Sequence, residues 1–233
     1  MRNNQPTSPR ARDGQDKARP AATASNSMQA GLGDEDNPYD FIGVGFGPSN
    51  LALAIAAEEL DAEQSCLFFE RSSRLQWHPG MLLEGARMQI SFLKDLVSLR
   101  NLASPYTFLQ YTRAKNRLEH FVNLNEFRPT RLEYQDYLQW VAEAFTERVR
   151  YNSSVNRVTP VRHPDDDVYR LFSVQVKDML TGETSVYFAR NVVYAAGGQP
   201  RWPVGQVCDT PAVVHSSMFQ PNFPAHFADR SLP

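Results

Sequence analysis

The chain lacks most of the features that would mark a specialised partner. Its 233 residues hold only two cysteines, Cys66 and Cys208, too few for a disulfide framework or a cysteine-based metal motif. The five histidines (His78, His120, His163, His215 and His226) show no metal-ligand spacing, so no metal is expected. Lys and Arg number 24 against 26 Asp and Glu, for a formal net charge of −2. That balance gives no basic footprint for nucleic acid. No apolar run approaches the roughly 18 residues of a membrane span. Sparse thiols fit a reducing compartment, and the cytoplasm is the simplest one.

Residues 1–36 also have almost no large apolar side chains, being mostly Pro, Ala, Ser, Asn and Arg. Such a segment cannot bury enough surface to offset its ordering entropy, and it reads as a disordered, solvated N-terminal extension. Asp13, Asp16, Asp34, Glu35 and Asp36 argue against an organellar transit peptide, and there is no apolar core for a secretory signal.

The remainder has the length and composition of an α/β protein with a substantial core. Asp40-Phe41-Ile42-Gly43-Val44-Gly45-Phe46-Gly47-Pro48-Ser49-Asn50-Leu51 reads as a buried strand, a glycine turn and the start of a helix. Gly45 and Gly47 occupy the first two positions of G-x-G-x-x-G; Asn50 takes the third. The first glycine permits a tight turn, and the second lets backbone approach a pyrophosphate. At the third, a Cβ should widen the helix–strand contact slightly. The following helix, rich in alanine, offers free N–H groups and a positive dipole end to a diphosphate. The next strand, Cys66-Leu67-Phe68-Phe69, ends at Glu70. A carboxylate there accepts hydrogen bonds from a ribose diol and repels a 2′-phosphate, which suits FAD or NAD better than NADP.

Beyond Glu70 the strand–helix alternation breaks. Residues 71–130 form a long insertion of polar loops and short amphipathic pieces, with Tyr106–Tyr111 as a possible helical turn. Thr130-Arg131-Leu132-Glu133 is a capping box, and the helix it opens should bury Leu132, Tyr137, Leu138, Val141 and Phe145. Val149–Val158, Leu171–Lys177 and Ser185–Ala189 predict a β meander, with Thr181-Gly182-Glu183 as a turn. Asn191–Ala196 reads as a buried strand ending in Gly197-Gly198.

Two further blocks have no generic dinucleotide role: Trp77-His78-Pro79-Gly80-Met81 and Met88-Gln89-Ile90-Ser91-Phe92-Leu93-Lys94-Asp95-Leu96. With the glycine turn and His215-Ser216-Ser217, they resemble the L-ornithine N5-monooxygenase and L-lysine N6-monooxygenase family, the flavin N-hydroxylases of hydroxamate siderophore biosynthesis. The resemblance covers about residues 38–219 and includes Asn50 at the third glycine position. Ala196 stands where the family more often has threonine. Met88–Phe92, Leu99-Arg100-Asn101, Asn123-Leu124 and Phe127–Arg131 resemble the ornithine branch more than the lysine branch.

The resemblance implies a Rossmann-like FAD-binding domain over 37–219, the first part of a two-dinucleotide flavoprotein, with the substrate-site insertion at 71–130. It implies FAD and NADPH as cofactors, and L-ornithine and O2 as substrates. Gly45, Gly47, Pro48, Ser49 and Asn50 would hold the diphosphate. Glu70 and Arg71 through Trp77 and His78 would wrap FAD, and Val155 would touch adenine through its backbone. Gln89 would lie near flavin and substrate, and Lys94 would hold the ornithine α-carboxylate. No residue is assigned to acid–base catalysis. A homo-oligomer is compatible with the sequence. No second glycine fingerprint follows His215-Ser216-Ser217, so residues 220–233 are expected to begin a truncated NADPH-binding domain. Lysine N6-hydroxylation and a non-catalytic FAD-binding fragment stay open. A Baeyer–Villiger or sulfide-type monooxygenase would lack the Met88–Leu96 block.

Overall fold

The computed structural model describes residues 32–60, 63–162, 168–202 and 214–221. The expectations for residues 1–31, Cys208 and residues 222–233 lie outside the described residues.

A six-stranded sheet organises the chain, in the order β3-β2-β1-β6-β5-β4. Strand β1 is Tyr39–Val44 and β2 is Cys66–Phe69. They pair in parallel from Phe41↔Cys66 to Val44↔Phe69. Strand β2 is apolar and buried throughout, and β1 is too apart from Asp40, because both of their faces are covered, as is usual for parallel strands. Between them runs α1, Pro48–Glu59, with Pro48 in its first turn, where a missing N–H costs nothing. It buries Leu51, Ala54, Ile55 and Ala57. Cys66 is buried, and desolvation pushes its thiol pKa up. Strand β3, Val149–Arg150, joins the outer edge of β2 in parallel.

The meander consists of β4 (Ser153–Arg162), β5 (Tyr169–Asp178) and β6 (Thr184–Tyr194). The last of these departs from the sequence reading. A returning strand and a separate buried strand were expected, but residues 184–194 form one continuous strand. Its first half is antiparallel to β5, from Lys177↔Thr184 to Phe172↔Ala189. Its second half is parallel to β1, from Tyr39↔Ala189 to Val44↔Tyr194. The polar pair Arg190-Asn191 does not break it, because both side chains find partners on β1. Arg190 reaches the Asp40 carboxylate at 2.9 Å, and Asn191 donates to the Asp40 carbonyl at 3.0 Å. The second half is also not buried: Val192 and Val193 are half-buried and Tyr194 is exposed. Residues 32–36, placed in the N-terminal extension by composition, fold against this strand. Phe188 N–H donates to the Gly33 carbonyl at 2.8 Å, and Leu32 packs beside the core.

The insertion contributes much of the main core. It contains α2 (Phe108–Ala114), which extends the expected helical turn, and α3 (Leu118–Asn123), which is short and polar enough to give no clear periodicity. Thr107 caps α2 by accepting from Gln110 N–H. Helix α4, Arg131–Ala142, is capped as expected, with the Thr130 hydroxyl accepting from Glu133 N–H at 3.1 Å. The Glu133 carboxylate pairs with Arg117, at 2.9 Å. Tyr134, Tyr137, Leu138 and Val141 of α4 are buried, and Phe145 follows in a 3-10 segment. Leu132, expected on that face, is exposed; Tyr134 supplies the first-turn contact in its place.

Tyr137 is fully buried, and its ring meets Phe108, Tyr111 and Tyr134. Its hydroxyl accepts from Leu96 N–H at 3.2 Å and donates to the Tyr106 carbonyl at 2.8 Å. Burial, and secondarily the nearby Asp95 charge, hold this phenol well above its ordinary pKa, so it stays protonated and able to donate. Tyr137→Phe should therefore strand two buried backbone groups and lower unfolding free energy by about 1–3 kcal/mol. Tyr111→Phe, whose hydroxyl meets the half-exposed Asp136, should cost less than about 1 kcal/mol. Urea denaturation of the two full-length variants compares them; equal losses would contradict the assignment.

Candidate functional site

The glycine turn sits at the C-terminal edge of β1, where α/β sheets place their ligands. Gly45 N–H donates to the Phe69 carbonyl, and Ala195 N–H donates to the Val44 carbonyl, so the turn is fixed to β2 on one side and to the end of β6 on the other. Gly45 has φ +84°, and a Cβ there would lie 2.7 Å from the Ala195 carbonyl oxygen. The fold itself therefore requires glycine at 45.

Gly47 is different. Its φ of −82° is open to any residue, and a Cβ built on it would meet nothing within 4 Å. Neither backbone nor neighbour demands glycine at this position. It is the N-cap of α1, with no side-chain cap hydrogen bond. An uncapped terminus with a bare approach is what a diphosphate needs, so these residues fit the phosphate portion of a dinucleotide. Pro48 and Ser49 complete that first turn; Ser49 is exposed.

Asn50 plays a role that the simple steric expectation missed. It is fully buried, and its side-chain amide donates to the carbonyls of Gly45, at 2.6 Å, and Val44, at 3.2 Å. The third position thus ties helix to turn by hydrogen bonds. Its Oδ1 atom is buried without a partner among the described residues.

Glu70 faces the turn from the end of β2. One carboxylate oxygen accepts from Phe46 N–H and the other from Ser72 N–H, both at 2.9 Å. The carboxylate therefore braces the glycine turn against the start of the insertion. A carboxylate has about four acceptor sites, which leaves capacity for a diol. Burial, then the Glu70 charge, raises the nearby Tyr151 phenol to about 12. Arg71 is exposed. Val155 lies in β4 opposite Val176, next to a register shift before Arg157, half-buried beside the second core cluster.

Helix α4 holds both of the distinctive blocks. The Gln135 side chain accepts from Trp77 N–H at 2.8 Å and donates to the Leu75 carbonyl at 3.3 Å. The Trp77 ring lies against Tyr134 and under the Arg131 guanidinium, 4.6 Å from the ring centre. His78 is exposed, in the left-handed region at φ +46°. The turn after it brings Gly80 onto Ser217, where a Cβ would overlap the Ser217 carbonyl. The Trp77–Met81 block and His215-Ser216-Ser217 thus meet in space, a contact that no local pattern could reveal. Two residues after Lys94, Leu96 N–H is held by Tyr137. Gln89 and Lys94 are both exposed, and Lys94 has no ion-pair partner among the described residues. His120 is exposed on α3.

This geometry separates the two glycines by experiment. Gly47→Val should abolish flavin absorbance in the purified full-length protein while shifting Tm little. Gly45→Ala should lower stability by about 1–3 kcal/mol, through strain at positive φ and the clash with Ala195. A flavin-replete Gly47→Val protein would show that the open position is not a ligand approach.

Residues 37–232 match the family described as L-lysine 6-monooxygenase/L-ornithine 5-monooxygenase. An L-ornithine N(5)-oxygenase of Arthrobotrys oligospora is 43% identical over 195 residues, covering 83% of this chain and 40% of that protein. Among solved structures, an ornithine N-hydroxylase of Kutzneria sp. 744, with reduced FAD, NADP+ and L-ornithine, is 41% identical with a TM-score of 0.73. It is matched over 83% of this chain and 44% of its own. The ornithine hydroxylase of Pseudomonas aeruginosa is 39% identical with a TM-score of 0.73, over 80% of this chain and 46% of its own. The chain thus spans about two-fifths of the length of the curated relatives it matches. With an apolar strand, a glycine turn braced by Asn50 and Glu70, and a family match over most of its length, the chain belongs to the L-lysine 6-monooxygenase/L-ornithine 5-monooxygenase family.

Proposed function

We propose that the full-length protein hydroxylates the side-chain amine of L-ornithine with NADPH and O2, using FAD, and so serves hydroxamate siderophore biosynthesis. The observation that carries the FAD reading is Gly47: a glycine that the fold does not need, at an uncapped helix N-terminus. Gly45, Gly47, Pro48, Ser49 and Asn50 line the diphosphate approach. Glu70 offers its remaining acceptor sites to the ribose diol, and Arg71, Trp77, His78 and Val155 border the cofactor. Residues 37–219 act as the FAD-binding domain, and the nicotinamide site lies mostly beyond them. The small thiol count supports a cytoplasmic setting.

Ornithine is favoured over lysine by the pattern of identity. The ornithine hydroxylases of Kutzneria and Pseudomonas aeruginosa stand at 41% and 39%, against 29% for an L-lysine 6-monooxygenase of Pseudomonas syringae. The same relatives support N-hydroxylation over a non-catalytic role.

The chemistry that FAD supplies when bound is hydride acceptance from NADPH and delivery of one oxygen atom from O2. The chain's own residues must hold the amino acid and keep its amine reactive. A side-chain amine attacks only when neutral, and its ordinary pKa is about 10.4. Lys94, exposed and free of any described counter-ion, would hold the α-carboxylate through a charge-assisted hydrogen bond. Its positive charge would also disfavour a second cation on the substrate amine. Gln89, on the same exposed segment, would border flavin and substrate.

Lys94→Ala should raise KM for ornithine roughly ten- to a hundredfold, the worth of a charged hydrogen bond. Flavin content should not change. Steady-state hydroxylamine formation measures this, and an unaltered KM would end the assignment of Lys94.

A further inference from the structure

The residue after Lys94 has a carboxylate turned away from solvent and committed to the backbone by three hydrogen bonds. Asp95 is buried. One oxygen accepts from Val97 N–H and Ser98 N–H, each at 2.9 Å. The other accepts from Phe108 N–H at 2.8 Å, at the start of α2 and 13 positions away. The Ser98 hydroxyl closes the loop by donating to the Asp95 carbonyl at 2.8 Å. Upstream, Lys94 N–H donates to the Ser91 carbonyl, and Leu93 N–H to the Ser91 hydroxyl.

Two consequences follow for Lys94. First, the neighbouring anion is turned inward onto three N–H groups, and Lys94 and Asp95 do not pair. An aspartate left in solvent beside Lys94 would compete with a substrate carboxylate for the same ammonium. Second, the chain just beyond is held in an uncommon shape. Ser98 and Leu99 lie consecutively at φ +51° and +64°, a region that bulky residues such as leucine rarely adopt. Leu99 is exposed, so burial of its side chain does not account for that conformation. Such backbone persists only where its surroundings over-determine it, and here the surroundings include the Asp95 carboxylate, the Ser98 hydroxyl, the Tyr137 bond to Leu96 and Arg100, whose N–H donates to the Val97 carbonyl and whose guanidinium pairs with Glu59 at 2.7 Å.

We infer that Asp95 is a positioning residue for substrate recognition: its carboxylate locks the 95–99 loop so that Lys94 is presented, unpaired, to the carboxylate of the amino-acid substrate. This rests on the reading of Lys94 given above. Asp95 acts through Lys94 and does not touch the substrate.

The test compares Asp95→Asn, Lys94→Ala and the double variant in the full-length protein, reading KM for ornithine, kcat and flavin content. The amide keeps an acceptor for Val97 and Ser98 but turns an N–H toward Phe108 N–H. Asp95→Asn should raise KM by about tenfold, the effect of misplacing one charged hydrogen bond, with a smaller change in kcat and normal flavin content. The double variant should have the KM of Lys94→Ala alone, because Asp95 has nothing left to position. If Asp95→Asn fails to fold, Ser98→Gly carries the test, since it removes the hydroxyl lock and frees the left-handed turn. It should raise KM several-fold in a folded protein. A wild-type KM in the folded Asp95→Asn or Ser98→Gly protein, or additive effects in the double variant, would overturn the positioning role while leaving Lys94 intact. An unchanged KM in Lys94→Ala alone would instead remove the reading beneath it.

Discussion

A buried phenol must satisfy its hydroxyl, and Tyr137 does so with two backbone groups from a segment that has no regular structure. That requirement fixes the insertion. The Leu96 N–H and the Tyr106 carbonyl are otherwise loop atoms with no ladder to join. Gln135, two positions earlier on the same helix, does the same for the Leu75–Trp77 segment. Helix α4 therefore acts as a rack of side-chain donors and acceptors on which two irregular segments hang. Its aromatic face supplies the cohesion: Tyr134, Tyr137, Phe108 and Tyr111 meet ring to ring. The polar tips of its side chains supply the register.

The same economy governs the glycine turn. Asn50 and Glu70 both act on it, one donating to the Gly45 carbonyl and the other accepting from Phe46 N–H. Each is a polar residue where an apolar one would pack. Each leaves acceptor capacity free, the Asn50 oxygen having no partner among the described residues and Glu70 having two bonds already made. A turn held by side chains in this way can leave its outer face bare, which is what Gly47 does.

The segment proposed above for substrate recognition is held in place although it is neither helix nor strand. The Lys94 segment is exposed, yet Asp95, Ser98 and Tyr137 hold the backbone on its downstream side. Exposure and order usually trade against each other. Here a buried carboxylate reconciles them, by satisfying three N–H groups that would otherwise need solvent.

Local chemistry made much of this legible in sequence. The glycine turn, the acidic end of β2, the cap at Thr130 and the meander follow from spacing, capping and alternation, each confined to a few consecutive residues. The resemblance of Trp77–Met81 and Met88–Leu96 pointed to the family for the same reason, since motifs are local. What the tertiary structure decided is whatever joins residues far apart in the chain. The fusion of the meander with the parallel sheet through one long β6 depended on Asp40 finding Arg190 and Asn191, 150 and 151 positions away. The exposure of Leu132 and burial of Tyr134 depended on which rings α4 met. The meeting of Gly80 with Ser217, the use of Asn50 as a donor and the inward turn of Asp95 are long-range or buried-polar effects. Periodicity records only which face is apolar; it does not say where a hydroxyl or carboxylate will find its partner.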